Sequence, residues 1–192
     1  MISCRSSFFR NFCGLALTFF MIPSNAPAGQ GSGMTQSEWH DYVRYDFVVD
    51  GQPAILIVPE KAAPGTPWVW RAEWFGDRHG PQVGLELLKR GWHYAYINAS
   101  DRYGSPAAIK IFDTFYHRLT KDFELAPKMV MEGFSRGGLY AFNFAATYPE
   151  RIAALYLDAP ALDLKSWPGY RKARWAEVAE NYGLTVEQLE TA

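Results

Sequence analysis

The sequence predicts an α/β fold: a largely parallel β-sheet with helices on both faces. Three observations carry that prediction. From Trp68 onward, short apolar runs alternate with longer amphipathic stretches along the chain. Runs such as Tyr94-Ala95-Tyr96-Ile97 and Ala153-Ala154-Leu155-Tyr156-Leu157 are continuously apolar, as in strands covered on both faces. A serine between glycines joins one apolar run directly to a helix. With 192 residues, 48% of them hydrophobic and 20% charged, the chain is long enough for one domain with a sizeable core.

The elements follow in order. Tyr42 to Val49 alternates apolar and polar residues, turns at Asp50-Gly51 and returns through Ala54 to Val58, which predicts a β-hairpin. Ala62 to Pro67 reads as a loop before the short apolar strand Trp68-Val69-Trp70. Pro81 to Arg90 predicts a helix closed by Gly91, and Tyr94 to Ile97 the next strand. Ser105-Pro106 supplies a capping side chain and a first-turn proline for a helix running to about Lys121. Lys128 to Glu132 forms the strand before the serine, a helix follows to Tyr148-Pro149, and Ala153 to Leu157 is a further strand. Beyond Leu164 two helical pieces are expected, Arg171 to Tyr182 and Thr185 to Glu190.

The beginning of the chain reads differently. Arg5 and Arg10 precede the apolar stretch Phe12 to Ile22, and Ala26-Pro27-Ala28 offers a small-x-small cleavage site. That pattern predicts a signal peptide over 1–28 and a secreted or periplasmic protein; an uncut N-terminal anchor is the alternative. Both cysteines, Cys4 and Cys13, fall in this segment, so the mature chain would hold neither a disulfide nor a thiol site. Residues 29–41 read as a flexible, Gly/Ser/Thr-rich lead-in, and 42–192 as the domain, with 164–192 starting a helical cap or insertion. The net charge of −1 would become −3 without Arg5 and Arg10, which gives no electrostatic case for nucleic acid or an anionic membrane as partner.

Gly133-Phe134-Ser135-Arg136-Gly137, followed by Gly138, carries the chemistry. A strand, a tight turn on a serine and a helix make a nucleophile elbow, which presents the hydroxyl above the sheet. Ser135 is therefore the candidate nucleophile, and it needs a neighbouring base, because a hydroxyl at its ordinary pKa attacks poorly. The developing oxyanion needs backbone N–H donors. The amide of Arg136 is one candidate, and Glu73 or Trp74, in the loop after the Trp68 strand, the other. The Arg136 side chain reads either as a surface charge or as a binder of an anionic substrate group.

Asp158, at the end of the strand after the elbow, is either the acid that orients the base or a strand-end cap; Asp163 lies five residues on. His40, His79, His93 and His117 all precede Ser135, and only His79 falls in a loop at the active end of the sheet. Pairs such as His79 with Asp77 do not have metal-ligand spacing, so no metal is expected. Tyr103 and Trp167 are candidate substrate-binding residues. With Trp68, Trp70, Trp74 and Phe75 they either stack on sugar rings or serve as core and loop anchors.

These residues together resemble the α/β-hydrolase superfamily, and within it secreted bacterial hydrolases carrying W-x-W-R-A-E-x-F-G (Trp68 to Gly76), Y-G-S-P (Tyr103 to Pro106), G-x-S-R-G-G (Gly133 to Gly138) and D-x-K-S-W-P-G (Asp163 to Gly169). The resemblance runs from about Tyr42 to the end. It implies an eight-stranded sheet, a Ser-Asp-His triad, an oxyanion hole and no cofactor. Ester hydrolysis is the implied activity, with small-molecule or carbohydrate esters as substrates, and peptidase-like hydrolysis is a further alternative. Ser135 carries over as nucleophile and the Arg136 amide as oxyanion donor. The family's acid and histidine come later in the chain than any residue here that matches them.

The sequence thus predicts a C-terminally incomplete serine hydrolase of the esterase type whose last strands are missing. The strand Ala153 to Leu157 carries neither charge nor proline, the usual means of blunting a sheet edge. A non-catalytic domain of the same fold is the competing expectation, since loss of a triad histidine lowers turnover on the order of 10⁶-fold.

Overall fold

The computed structural model describes residues 33–169 and 172–191. The segment expected to be a signal peptide lies outside the described residues. Seven strands form one sheet in the order β1-β2-β3-β5-β4-β6-β7. They are β1 (Thr35–Trp39), β2 (Tyr42–Val49), β3 (Gln52–Val58), β4 (Trp68–Arg71), β5 (His93–Ile97), β6 (Met129–Phe134) and β7 (Ile152–Asp158). The first three make an antiparallel meander that joins β5 antiparallel through β3. The pairs β5–β4, β4–β6 and β6–β7 are parallel. The sheet is therefore mixed, parallel only in its second half.

The order reverses at β4. Its chain leaves toward β5 on one side, while β6 pairs on its other side. At such a switch point the loops after neighbouring strands diverge and leave a crevice at the carboxyl ends. The loops after β4 and β6 are the two that border it.

Alternation along the strands sends side chains to two cores. Leu56, Trp68, Trp70, Ala95, Met129 and Met131 face α2 (Pro106–Asp122) and α3 (Gly137–Thr147), where Phe112, Phe115 and Phe144 pack. Trp70 has ring centroids 4.6 Å from Phe112, 5.0 Å from Phe115 and 5.3 Å from Phe144. Ile55, Ile57, Val69 and Tyr94 face the other way, with Leu88 of α1 (Gln82–Lys89). Trp68 and Trp70 are thus core residues. Phe75 is an anchor of the second core, packed against Trp39, Tyr94 and Tyr96.

The hairpin, the capped helix and the elbow elements fall where the sequence puts them. Ser105 does cap α2, its Oγ accepting the Ala108 N–H at 3.4 Å. One expectation is corrected: the segment 29–41, read as a flexible lead-in, carries β1, paired with β2 from Thr35↔Asp46 to Trp39↔Tyr42. Its polar residues hid it, because β1 is an edge strand with exposed residues along most of its length.

At the other edge, β7 pairs with β6 alone among the described residues. Leu155 and Tyr156 are exposed on it. Of the eight strands implied by the resemblance, seven occur among the described residues. The α4 (Lys172–Tyr182) and α5 (Val186–Thr191) helices form a separate small cluster in which Trp175, Val178, Ala179 and Leu189 close over Tyr103.

Gly138 tests this packing. A Cβ there would lie 2.3 Å from the Pro160 Cβ and 3.0 Å from the Ala161 carbonyl oxygen, so the elbow helix and the segment after β7 approach through a bare Cα. Gly138→Ala should cost about 2 kcal/mol by overpacking, read as a Tm drop of about 4–8 °C in a thermal melt. An unchanged Tm would show that this approach is looser than described.

Candidate active site

Ser135 sits in the turn between β6 and α3 with φ of 52°, a left-handed conformation that costs a non-glycine residue of order 1–3 kcal/mol. Three backbone hydrogen bonds hold it there. Its N–H donates to the Asp158 carbonyl at 3.0 Å, and its own carbonyl accepts from Gly138 at 3.0 Å and from Ala161 at 2.9 Å. The residue is exposed even though its backbone is fixed.

Helix α3 starts two residues after the serine with Arg136 at its N-cap, and no side chain caps its N-terminus. The Arg136 amide is therefore one of the orphan donors of a helix start, and it donates to no described group. Across the crevice, the amides of Glu73 and Trp74 likewise donate to no described group. Gly137 brings the two sides together: a Cβ on it would lie 3.0 Å from the Glu73 Cβ and 3.4 Å from the Glu73 backbone nitrogen.

Arg71, at the end of β4, fixes the loop that carries Glu73 and Trp74. Its guanidinium is almost fully buried. Nε donates to the carbonyls of Glu73 (3.2 Å) and Trp74 (3.0 Å), Nη1 to that of Gly80 (3.3 Å), and Nη2 to that of His79. Nη1 also meets the Glu132 carboxylate of β6 at 2.5 Å. A trans peptide points its N–H opposite to its carbonyl, so gathering the 73 and 74 carbonyls toward Arg71 turns the following amides away from it. Burial pushes the Glu132 pKa up, and Arg71 opposes that shift.

A second buried carboxylate stands beside the first. Glu73 accepts the Ser100 hydroxyl at 2.5 Å through Oε1, and its Oε2 lies 2.8 Å from Nε of Arg136. That ion pair is in contact but off the hydrogen-bond axis, so neither atom completes a hydrogen bond in it. Burial raises the Glu73 pKa above its ordinary 4.5, while Ser100 and Arg136 pull it back. Arg136 also lies 3.4 Å from Asp101, 4.1 Å over the Trp74 ring and 5.3 Å over the Trp167 ring. Trp74 packs against His79 at 5.2 Å, and Trp167 stacks on Tyr103 at 5.1 Å.

The result is a cavity of about 750 Å³ above the elbow, to which Ser135, Arg136, Trp74, Trp167 and Arg174 contribute. Of the expected site residues it thus gathers Ser135, Arg136, Trp74 and Trp167. Glu73 lies beneath it. Tyr103 does not reach it: the ring is fully buried behind Trp167 and under α4 and α5, and Tyr140 of α3 accepts the Tyr103 N–H at 2.9 Å. Its expected contact with substrate is therefore corrected to support of Trp167. Asp158 is exposed at the end of β7, and its carboxylate takes part in no hydrogen bond with a described residue, although its carbonyl holds the Ser135 amide. Asp163 accepts the Ser166 N–H at 2.6 Å and so shapes the turn before Trp167.

None of the four histidines contacts Ser135. His40 pairs with Asp77 at 2.8 Å, His117 with Asp113 at 3.3 Å, and His93 is buried at the start of β5, the opposite end of the sheet. No group of three or more metal-ligating side chains occurs among the described residues.

Arg71, Glu132, Ser100 and Tyr140 join the site without being among the residues the sequence predicts for it. The first two left a signal: each is the lone charge at the end of an apolar strand, and they are cross-strand partners in register. Ser100 and Tyr140 left none, because a loop serine and a helical tyrosine are common everywhere.

No family model matches the sequence. The 2-succinyl-6-hydroxy-2,4-cyclohexadiene-1-carboxylate synthase of Bacillus subtilis (strain 168) is 27% identical over 137 residues, covering 70% of this chain and 47% of that protein. The chain therefore spans about half the length of the curated relative it matches. Among solved structures, a cold-adapted esterase from an Arctic intertidal metagenomic library superposes with a TM-score of 0.54 at 17% identity, over 77% of this chain and 71% of that one. The Francisella virulence factor BioJ gives 0.51 at 19%, over 80% and 55%. The likeness at these identities is one of fold, and the fold is that of the α/β-hydrolases.

Two predictions follow the buried carboxylates. Arg71→Leu leaves Glu132 buried and uncompensated, so urea unfolding should show a loss of about 3–5 kcal/mol. For Glu73 the folded pKa lies above the unfolded one. The folded state then holds the proton longer, and this group's contribution to stability falls as pH rises from about 4.5 through the folded pKa. Glu73→Gln should remove that slope, so the stability difference between variant and parent should move in the variant's favour across that window. A difference that moves the other way would contradict the burial effect.

Proposed function

We propose that the chain carries the nucleophile and oxyanion half of a serine hydrolase that cleaves carboxylic esters. The observation that carries this reading is an exposed Ser135 held in a left-handed turn, with uncommitted amides at Arg136 on one side and at Glu73 and Trp74 on the other. In that mechanism Ser135 Oγ attacks the ester carbonyl carbon and gives up its proton to a base. The amides of Arg136 and of Glu73 or Trp74 stabilise the resulting oxyanion. The C–O bond then breaks, the alcohol leaves with a proton, and water hydrolyses the acyl-serine.

Asp158 is the candidate acid by its place at the end of β7. The carbohydrate-ester expectation gains no support from the aromatic side chains. Trp74 packs against Arg136 and His79, and Trp167 against Arg136 and Tyr103, so protein groups already occupy these indoles. The pattern of charge, apolar run and small residues over 1–28 supports a secreted or periplasmic location.

A second reading rests on the histidines. With none in contact with Ser135, a non-catalytic domain that keeps only the cleft is the competing account.

Fluorophosphonate labelling followed by intact mass separates the two. The hydrolase reading expects one adduct on Ser135, formed slowly and accelerated by added imidazole, which stands in for the base. Ser135→Ala should form none. Equal labelling of the variant would remove Ser135 as nucleophile, and a folded parent chain that never labels would favour the non-catalytic domain.

A further inference from the structure

We propose that the cavity above Ser135 takes an ester that also carries an ionised carboxylate or phosphate group, and that Arg174 and Arg136 hold this second group. The inference rests on the reading of Ser135 as the reacting residue and adds the substrate's charge to it.

Arg136 stands on the elbow side and Arg174 on α4, Ser135, Ser166 and the two indoles also line the cavity, and no acidic side chain is among the described lining residues. The acids near Arg136 sit behind it. Glu73 engages Nε from the buried side, and Asp101 approaches Nη1 at 3.4 Å. No described group takes Nη2. The guanidinium is thereby fixed in orientation by a carboxylate and stacked over Trp74 at 4.1 Å, with one nitrogen uncommitted.

Arg174 has a different setting. It is exposed on α4, and with Glu177 it neighbours the Tyr103 phenol; Glu177 does not line the cavity. Guanidinium groups bind carboxylate and phosphate oxygens through charge-assisted hydrogen bonds, about twice as strong as neutral ones. An anion seated between a rigid cation on the elbow and a second on α4 would bridge the helical segment to the sheet. It would also set the distance from the charged group to the scissile carbonyl.

The test compares two esters that differ by one charge. Monomethyl succinate and dimethyl succinate are titrated against the parent chain, Ser135→Ala and Arg174→Gln by ligand-observed NMR, at low and high salt, with inorganic phosphate as competitor. Monomethyl succinate should bind the parent chain and Ser135→Ala alike, weaken as salt rises, and lose about tenfold in affinity with Arg174→Gln. Dimethyl succinate should bind at least tenfold more weakly. Displacement by phosphate would assign the clamp to tetrahedral as well as planar anions, and absence of displacement would assign it to carboxylates.

Equal binding of the two esters, or an Arg174→Gln variant that binds like the parent, would overturn the proposal. Failure here is distinguishable from failure of the hydrolase reading. An unbound anion with Ser135 still labelled sinks only the clamp. A bound anion with Ser135 unlabelled sinks only the catalysis.

Discussion

A guanidinium with almost no access to water organises the end of this sheet that carries the candidate site. Arg71 ends β4, meets Glu132 of the neighbouring strand, and gathers the carbonyls of Glu73, Trp74, His79 and Gly80. A buried charge is tolerated only when paired and fully hydrogen-bonded, so the loop after β4 has little freedom to move without exposing it. The same contacts turn the Trp74 amide away from Arg71. The buried Glu73 carboxylate extends the frame to Ser100 and Arg136, and thus to the loop after β5 and the start of α3.

Around that frame the elbow keeps a strained residue in place. The left-handed φ of Ser135 is held by three backbone hydrogen bonds, two of them to the segment from Asp158 to Ala161. β7 therefore matters to the site although, among the described residues, it pairs on one side alone. Its end supplies the carbonyl that receives the Ser135 amide, and Pro160 packs where Gly138 leaves room. Rigid backbone, exposed hydroxyl and uncommitted donors are what an acyl-transfer site needs before any proton acceptor is considered.

Much of the fold was legible because hydrophobic patterning decides it. The hairpin at Asp50-Gly51, the Ser105-Pro106 helix start and the strand–serine–helix elbow each follow from local rules, and the structure has them. β1 was not legible, since an edge strand with mostly exposed residues resembles a polar loop. At the site, Ser135 and the Arg136 amide came from a local motif. The roles of Arg71, Glu132 and Tyr103 depend on tertiary contacts: Arg71 meets Glu132 only because β4 and β6 pair in register, and Tyr103 is buried only because α4 and α5 fold over it.

This frame commits some amides to hydrogen bonds and leaves others free. Residue-resolved amide hydrogen exchange measures that directly. Ala72, Ser135, Gly138 and Ala161 should be protected, since each donates to a backbone carbonyl, whereas Arg136, Glu73 and Trp74 should exchange far faster. Protection of Arg136 and Trp74 as strong as that of Ala72 would mean that other groups already hold these donors, and the oxyanion site described here would not exist.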